Sequence, residues 1–472
     1  MNNFGLATAL LAVAIISAPL SAQTARGNGV EVWLTTADKS SLFAEQPKIA
    51  FSRIATSAPT IEIDAHAPKQ TMDGFGFALT GGSAELLMRM SSARRSALLK
   101  ELFDPSGDGI GVSYLRVSIG SSDMNERVFT YDDMPRGQTD PALAHFNLGP
   151  DRADIIPVLH EILAINPKLK ILGSPWSAPS WMKTNDAPKA GSLKPELYGT
   201  YASYLVTYLK AMAGEGILIG AMTVQNEPLN ANNTPSMIMT SQEEDTFIRS
   251  ALGPALKKVG LGTEIILYDH NCDRPDYPLD ILADPQAKSF VAGSGFHLYG
   301  GEVGAMSKVH DAFPDKGVYF TEQMVVEDPG ELPFKIAQPV SRIVIGATRN
   351  WSRIVLLWNL AADPHNGPHT SDGGCPVCQG AITLDGDSVT RNLAFYTIAH
   401  ASKFVRPGSV RVASESLVQD TLPNVAFSTP DHRMVLIVAN PAKTDATFAV
   451  KSADKKFAAT LKAGAVATYI WR

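Results

Sequence analysis

From Val30 the chain alternates apolar and polar residues, first in Val30-Glu31-Val32-Trp33-Leu34-Thr35-Thr36 and again in Thr60-Ile61-Glu62-Ile63-Asp64. Period two is the pattern of a strand with one buried face. The texture then changes. Short apolar, β-branched or aromatic runs ending in polar loops recur about once every 30 to 50 residues, the rhythm of strand–helix units. The runs are Gly74–Thr80, Ser113–Ser118, Lys170–Ser174, Ile219–Gln225, Glu264–Tyr268, Gly295–Leu298, Gly317–Thr321 and Ile354–Asn359, eight in all. Helical spacing lies between them. Ser91–Phe103 puts Leu98, Leu102 and Phe103 on one face with Gly107 beyond, and Ile155–Ile165 is closed by Asn166-Pro167. Leu197–Ala213 carries Tyr201, Tyr204, Leu205, Tyr208 and Leu209, a stripe that reads as core packing and not as ligand contact.

Eight strands alternating with helices over roughly 300 residues predict an α/β chain folded as a closed (β/α)8 TIM barrel, ahead of an open doubly wound sheet. Gly74-Phe75-Gly76 lacks the third glycine and the helix of a dinucleotide fingerprint. After His400 short runs return: Val410–Val412, Val425–Ser428, Met434–Ala439, Thr447–Val450 and Val466–Ile470, separated by Pro, Asn, Asp and Gly. That is a β-sandwich pattern. The N-terminal strands are too few to bury a face alone, so both termini are expected to build one β-sandwich side domain. The expected division is a signal peptide over 1–22, N-terminal sandwich strands over 23–70, the barrel over 71–400 and the C-terminal sandwich over 401–472.

Composition narrows the possibilities. A chain of 472 residues is too long for one compact core, which suits a large domain with a smaller one. A net charge of −6 gives no electrostatic footprint for nucleic acid or anionic membrane. No later stretch reaches about 18 uninterrupted apolar residues, so no transmembrane segment is predicted. Phe4 to Ile16 is nearly all apolar and leads into the small residues Ser17 to Ala22. This reads as a secretory signal cleaved near Ala22, and the chain as exported, periplasmic or extracellular. The three cysteines, Cys272, Cys375 and Cys378, are too few for a disulfide scaffold. Cys375-Pro376-Val377-Cys378 follows His365 and His369, so a loop-pinning disulfide, free thiols and a zinc site are all open. A loop of Asp, Gly, Pro and Asn with no paired knuckle favours the disulfide and leaves Cys272 unpaired. No metal or other cofactor is expected.

Two segments carry the chemistry: Val224-Gln225-Asn226-Glu227-Pro228 and Phe320-Thr321-Glu322-Gln323. Each sets a glutamate where a buried strand gives way to a loop, at the barrel end that faces the active site. One such glutamate reads equally well as a helix first-turn residue or a solvated charge. Two, delivered from two strands, are the equipment of a retaining glycosidase, one as acid/base and one as nucleophile. Asn226 stands beside Glu227 to bond a sugar hydroxyl, and Pro228 stiffens the exit. A nucleophilic carboxylate must stay ionised, which a cation and a hydroxyl favour; Arg116 and Tyr299 are the candidates, although Arg116 also suits a structural ion pair. Trp176, Trp181 and Trp358, three of the six tryptophans, follow the third and eighth runs, where their faces suit sugar rings.

These residues resemble glycoside hydrolase family 30, the group that includes the glucosylceramidases (acid β-glucosidases). The likeness runs through Met72-Asp73-Gly74-Phe75-Gly76, Leu115-Arg116-Val117-Ser118, the Pro175–Asn185 tract, Gln225-Asn226-Glu227-Pro228, His297-Leu298-Tyr299, Thr321-Glu322, Trp358-Asn359-Leu360-Ala361 and Ser402 to Ser409, in family order. It implies Glu227 as acid/base, Glu322 as nucleophile and Asn226 as partner of the sugar 2-hydroxyl. It also places Trp176 and Trp358 at the glycone and His297 and Tyr299 beside the nucleophile, on a barrel with a two-terminus β-sandwich. In one respect the chain departs. After Phe77-Ala78-Leu79-Thr80, glucosylceramidases carry an Asp that binds glycone hydroxyls, and here stands Gly81. The expectation is a metal-independent retaining β-glycosidase acting on a glycolipid or oligosaccharide β-glycoside, glucosylceramide first. The alternatives are an endo-β-1,6-glucanase, a β-xylosidase or a β-fucosidase, or a carbohydrate-binding protein without activity. The pair's carboxyls should lie about 5–5.5 Å apart, against roughly 6.5–9.5 Å for inversion.

Overall fold

The computed structural model describes residues 29–52, 58–327, 332–415 and 421–472, together with Met1 and Gly330; the segment read as an export signal lies outside them. Three strands open the described chain, β1 (Val30–Thr35), β2 (Ala44–Ile49) and β3 (Thr60–Thr71). Eight follow in the barrel: β4 (Gly74–Leu79), β5 (Tyr114–Ile119), β6 (Lys170–Pro175), β7 (Ala221–Thr223), β8 (Glu264–Cys272), β9 (Val291–Gly301), β10 (Gly317–Glu322) and β11 (Ser352–Leu357). They close in the order β10-β11-β4-β5-β6-β7-β8-β9, and all eight pairings are parallel. Every predicted run is a barrel strand, though β7 is shorter than its run and β8 and β9 are longer.

The helices form where the spacing predicts them, over Ser92–Phe103, Ile155–Ile165 and Tyr198–Gly214. The tyrosine stripe of the last is buried and extends a set of stacked rings to Tyr131 and Phe247. After β11 a small three-stranded sheet, β12 (Ala361–Ala362), β13 (Ile382–Asp385) and β14 (Ser388–Arg391), brackets a long loop that returns over the barrel mouth.

The remaining strands are β15 (Val410–Glu415), β16 (Asn424–Ser428), β17 (Met434–Ala439), β18 (Ala446–Ser452), β19 (Lys455–Leu461) and β20 (Val466–Trp471). With the first three they make one nine-stranded ladder, β19-β18-β3-β15-β16-β17-β20-β1-β2. The ladder folds over on itself: Phe448 and Phe457 at one end reach Tyr469 of β20, several strands away in the order. That closure creates a second apolar core of Val30, Ile61, Val412, Leu436, Phe448, Tyr469 and their neighbours. Residues before 72 and after 408 thus share one β-sandwich, because neither set alone covers its apolar face.

Candidate active site

Tyr114, Leu172, Ala221, Ile266, Tyr319, Ile354 and Leu356 form an apolar plug inside the barrel. Side chains alternate along a strand, so the residue two further on faces the same interior one layer higher. Counting on from the plug gives Arg116, Ser174, Thr223 and Thr321, a buried polar layer above an apolar one. On β8 the count differs: the inward residue, Asp269, comes three after Ile266. A bulge absorbs the extra residue, since Tyr268 pairs with Gly295 and His270 with Phe296. Tyr268 and Asp269 there have φ of 72° and 55°. Left-handed backbone at two consecutive non-glycine residues is strained and survives only where the surroundings hold it. Its consequence is that both Asp269 and His270 face the site.

Arg116, fully buried, organises the layer. Its Nη1 donates to Glu322 Oε2 at 2.6 Å, and its Nη2 donates to Asn226 Oδ1 at 2.6 Å, Asp269 Oδ2 at 2.7 Å and Ser174 Oγ at 3.0 Å. Because Asn226 accepts from Arg116 through Oδ1, its Nδ2 is left as a donor toward the cavity. The Tyr299 hydroxyl donates to Glu322 Oε1 at 3.0 Å and accepts from Met324 N at 2.9 Å. His297 Nδ1 is 3.1 Å from Glu227 Oε1, and its Nε2 is 3.1 Å from Asp269 Oδ1. Asn230 Nδ2 donates to Glu227 Oε2 at 2.7 Å. Glu227 has φ of 45° and its N–H is tied to Asp269 O at 3.1 Å, so the strained backbone of β8 also fixes the carboxylate-bearing turn.

A Glu227 oxygen, a Glu322 oxygen and a His297 nitrogen all lie within 4.8 Å of one another. That spacing is the short one of a retaining carboxylate pair, too close for an inverting pair with water between them. The two glutamates line a cavity of about 410 Å³ together with Asp123, Trp176, Asn226, Asn230, His270, Tyr299, Trp358 and the Cys375–Cys378 disulfide. Trp176 and Trp358 stack at 5.4 Å, and the Arg116 guanidinium lies 4.7 Å from the Trp176 ring centre.

Burial and charge set the protons. Burial opposes the imidazolium at His297, but Glu322, Asp269 and Glu227 together raise it to about 10. Burial likewise opposes ionisation of Glu227, yet His297, His270 and Asn230 hold it down at about 2. Burial pushes Glu322 above the usual carboxylate range, against the pull of His297 and Arg116. Asp123 is pushed up to about 8, by burial first and then by the charges of Glu322 and Glu227. At neutral pH it is therefore a carboxylic acid, able to donate.

Residues 72–405 match the glycosyl hydrolase family 30 TIM-barrel domain, and residues 408–469 match the family's beta sandwich domain. The chain belongs to glycosyl hydrolase family 30. Similar family members include an endo-1,6-beta-D-glucanase of Aspergillus fumigatus, 32% identical over 421 residues and 84% of each chain. The solved structure titled the endo-beta1,6-glucanase BT3312 superposes with a TM-score of 0.87 at 34% identity, covering 94% of this chain and 99% of that one. The lysosomal acid glucosylceramidase of mouse is 28% identical over 431 residues, 85% of this chain and 81% of its own.

Within this family 30 barrel the structure brings together Glu227, Glu322, Asn226, Arg116, Trp176, Trp358, His297 and Tyr299, all anticipated from sequence. It removes Trp181, whose Nε1 donates to Asp132 O at 3.0 Å and whose ring packs in the main core. The reading of Gly81 also changes. Gly81 and Gly82 open the helix Gly81–Arg89 beneath the cap Thr80, and neither has positive φ. A Cβ on Gly81 would stand 1.8 Å from Asn125 Nδ2. Position 81 therefore accommodates the Ser121–Asn125 loop, and that loop delivers the buried carboxyl, Asp123, whose Oδ1 has no partner among the described residues. Asp123, Asp269 and His270 were missed. The last two sit just past the predicted end of β8, where Tyr268-Asp269-His270-Asn271 repeats the pattern of polar residues behind an apolar run.

Proposed function

We propose that this family 30 glycoside hydrolase is an endo-β-1,6-glucanase that cleaves with retention, Glu227 serving as acid/base and Glu322 as nucleophile. The spacing of the two carboxylates, delivered just past β7 and at the end of β10, carries the chemistry. The linkage rests on relatives: 1,6-glucanases are 32% and 34% identical, against 28% for the glucosylceramidase that the motifs first suggested. The glucose unit would lie against Trp176 and Trp358, with Asn226 Nδ2 and the protonated Asp123 donating to its hydroxyls. Attack by Glu322 on the anomeric carbon forms the ester as the glycosidic bond breaks, while Glu227 protonates the departing oxygen. That proton is held jointly: His297 presents Nδ1–H to Glu227 at 3.1 Å and passes it on as the leaving oxygen draws it. Esterifying Glu322 removes the strongest charge holding the imidazolium, so the couple, having given its proton to the leaving oxygen, stays deprotonated and Glu227 takes the proton of the attacking water as base. Export, expected from residues 1–22, suits a polymeric substrate, and among the described residues no helix is long and apolar enough to cross a membrane.

A panel of β-1,6-gluco-oligosaccharides, glucosylceramide, β-1,4-xylo-oligosaccharides and aryl β-fucosides tests the reading. The 1,6-linked substrate should be cut internally and fastest, its first product appearing as the β-anomer by NMR. Glu227→Gln should lose roughly 10²–10⁴-fold on oligosaccharides but far less on aryl glucosides with good leaving groups, where azide speeds turnover. Glu322→Gln should fail on every substrate. Faster hydrolysis of glucosylceramide, or equal losses for both variants on the aryl glucoside, would overturn it.

A further inference from the structure

We infer that His270 recognises the sugar on the leaving-group side of the scissile bond, its imidazole bonding a hydroxyl of that residue. The inference rests on Glu227 being the acid. The departing oxygen must then come within hydrogen-bond reach of Glu227, so a group beside that carboxyl and outside the tryptophan wall meets the leaving sugar. Three side chains crowd Glu227. His297 has both nitrogens committed, to Glu227 and Asp269. Asn230 has its amide on Glu227 Oε2. His270 alone is uncommitted: its Nε2 stands 4.0 Å from Glu227 Oε1, too far for a hydrogen bond, and its buried Nδ1 has no partner among the described residues.

A histidine kept only for packing finds partners when buried, as His400 does with Thr468 and Thr35 at 2.9 Å each. His270 is about nine-tenths buried and lines the cavity, yet each ring nitrogen is an atom without a hydrogen-bond partner among the described residues. Such an atom is costly to keep unless something in the working complex satisfies it. The chain also accepts strained backbone at Tyr268 and Asp269 to point the ring that way. Burial holds the imidazole neutral, against the pull of Glu227. A neutral ring offers one donor and one acceptor, which suits a hydroxyl that is both. Asn230, Asn233 and Asn271 complete this side of the cavity, and their amides suit a sugar better than an acyl chain.

The test compares two substrates with one glycone: a β-1,6-linked glucotriose, and 2,4-dinitrophenyl β-glucoside, whose leaving group is no sugar. In His270→Phe the ratio of kcat/KM for the triose to that for the aryl glucoside should fall roughly tenfold or more, because a site built to bond a hydroxyl is sensitive to its loss. His270→Gln should restore part of the ratio. Added glucose or cellobiose should also intercept the glycosyl-enzyme less well in the Phe variant, shifting product from transfer to hydrolysis. If the phenyl ring prevents folding, His270→Ala carries the same comparison. Equal losses on both substrates, or an unchanged partition between acceptor sugar and water, would overturn the inference. If the wild type turns over the aryl glucoside but no 1,6-linked sugar, the linkage proposal fails, and the acceptor partition still judges His270.

Discussion

His297 is held between two carboxylates, Glu227 on one ring nitrogen and Asp269 on the other, with no exposure to water. Its proton is therefore a stability term as well as a catalytic one. An unfolded histidine titrates near 6.5. In the folded site the value is raised to about 10, so folding takes up a proton between these two pH values. The stabilisation is fully present below about pH 6.5 and is lost as pH rises toward 10. The melting temperature of the wild type should fall across pH 7 to 10 more steeply than that of His297→Gln, which cannot take up this proton. Calorimetry of both proteins across that range checks it, and parallel curves would contradict the assignment. At this scale the sequence was legible wherever a functional group directly follows an apolar run, as with Glu227, Glu322, Arg116 and Trp358. It was not legible at Asp123, four residues past the end of β5 in a polar loop, where Ser121, Ser122 and Asn125 look equally eligible. All four are buried, and only the fold separates Asp123 from the others, by setting its carboxyl in the wall of the cavity.

Strands were read well because barrel strands, buried on both faces, are continuous apolar runs, and a run needs no partner to be recognised. Elements whose pattern is set by their neighbours were harder. β2 is an edge strand with its polar side chains in water, and β19 alternates only weakly, its Phe457, Ala459 and Leu461 facing the sandwich core. The bulge in β8 was invisible because it is a property of pairing, not of composition, and it hid Asp269 and His270. The start of the helix Gly81–Arg89 shows the same limit. Gly81 looked like a lost carboxylate, but the helix comes so close to the Ser121–Asn125 loop that no side chain fits. Asn125 cannot easily yield, since its Oδ1 accepts from Ser122 N at 2.8 Å and Ser122 Oγ at 3.2 Å. Gly81→Asp should therefore push on the loop that carries Asp123. The expected result is a loss of about 1–3 kcal/mol of stability and a parallel fall in activity on every glycone, not a gain for glucosides. A selective rise in kcat/KM for β-glucosides at unchanged melting temperature would restore the specificity reading of position 81.

Among the contacts that join the two domains is one buried histidine. His400, in the last barrel helix, Leu393–Ser402, is 2.9 Å from Thr468 Oγ1 of β20 through Nδ1 and 2.9 Å from Thr35 Oγ1 of β1 through Nε2. A single ring thus ties the barrel to strands from both ends of the chain, and those strands pair with each other over Glu31–Thr35. The sandwich cannot loosen at either terminus without disturbing this joint. Burial with no carboxylate beside it lowers His400 to about 3, so the folded protein keeps it neutral. An unfolded chain would protonate it near 6.5. Stability from this residue is therefore complete above about pH 6.5 and is lost as pH falls toward 3, opposite in sign to His297. Each pH unit inside the window costs up to about 1.4 kcal/mol for one proton. Asn or Gln at this position bonds a threonine hydroxyl but takes up no proton. His400→Gln should be less stable than the wild type at pH 7.5, and the gap should narrow on acidification to pH 4.5. Because His400 joins the domains, the wild type should also lose its sandwich and barrel signals together as acid is added. A constant gap between the two proteins across this range would show that His400 takes up its proton in the folded state as readily as in the unfolded one and that the acid sensitivity of the joint lies elsewhere.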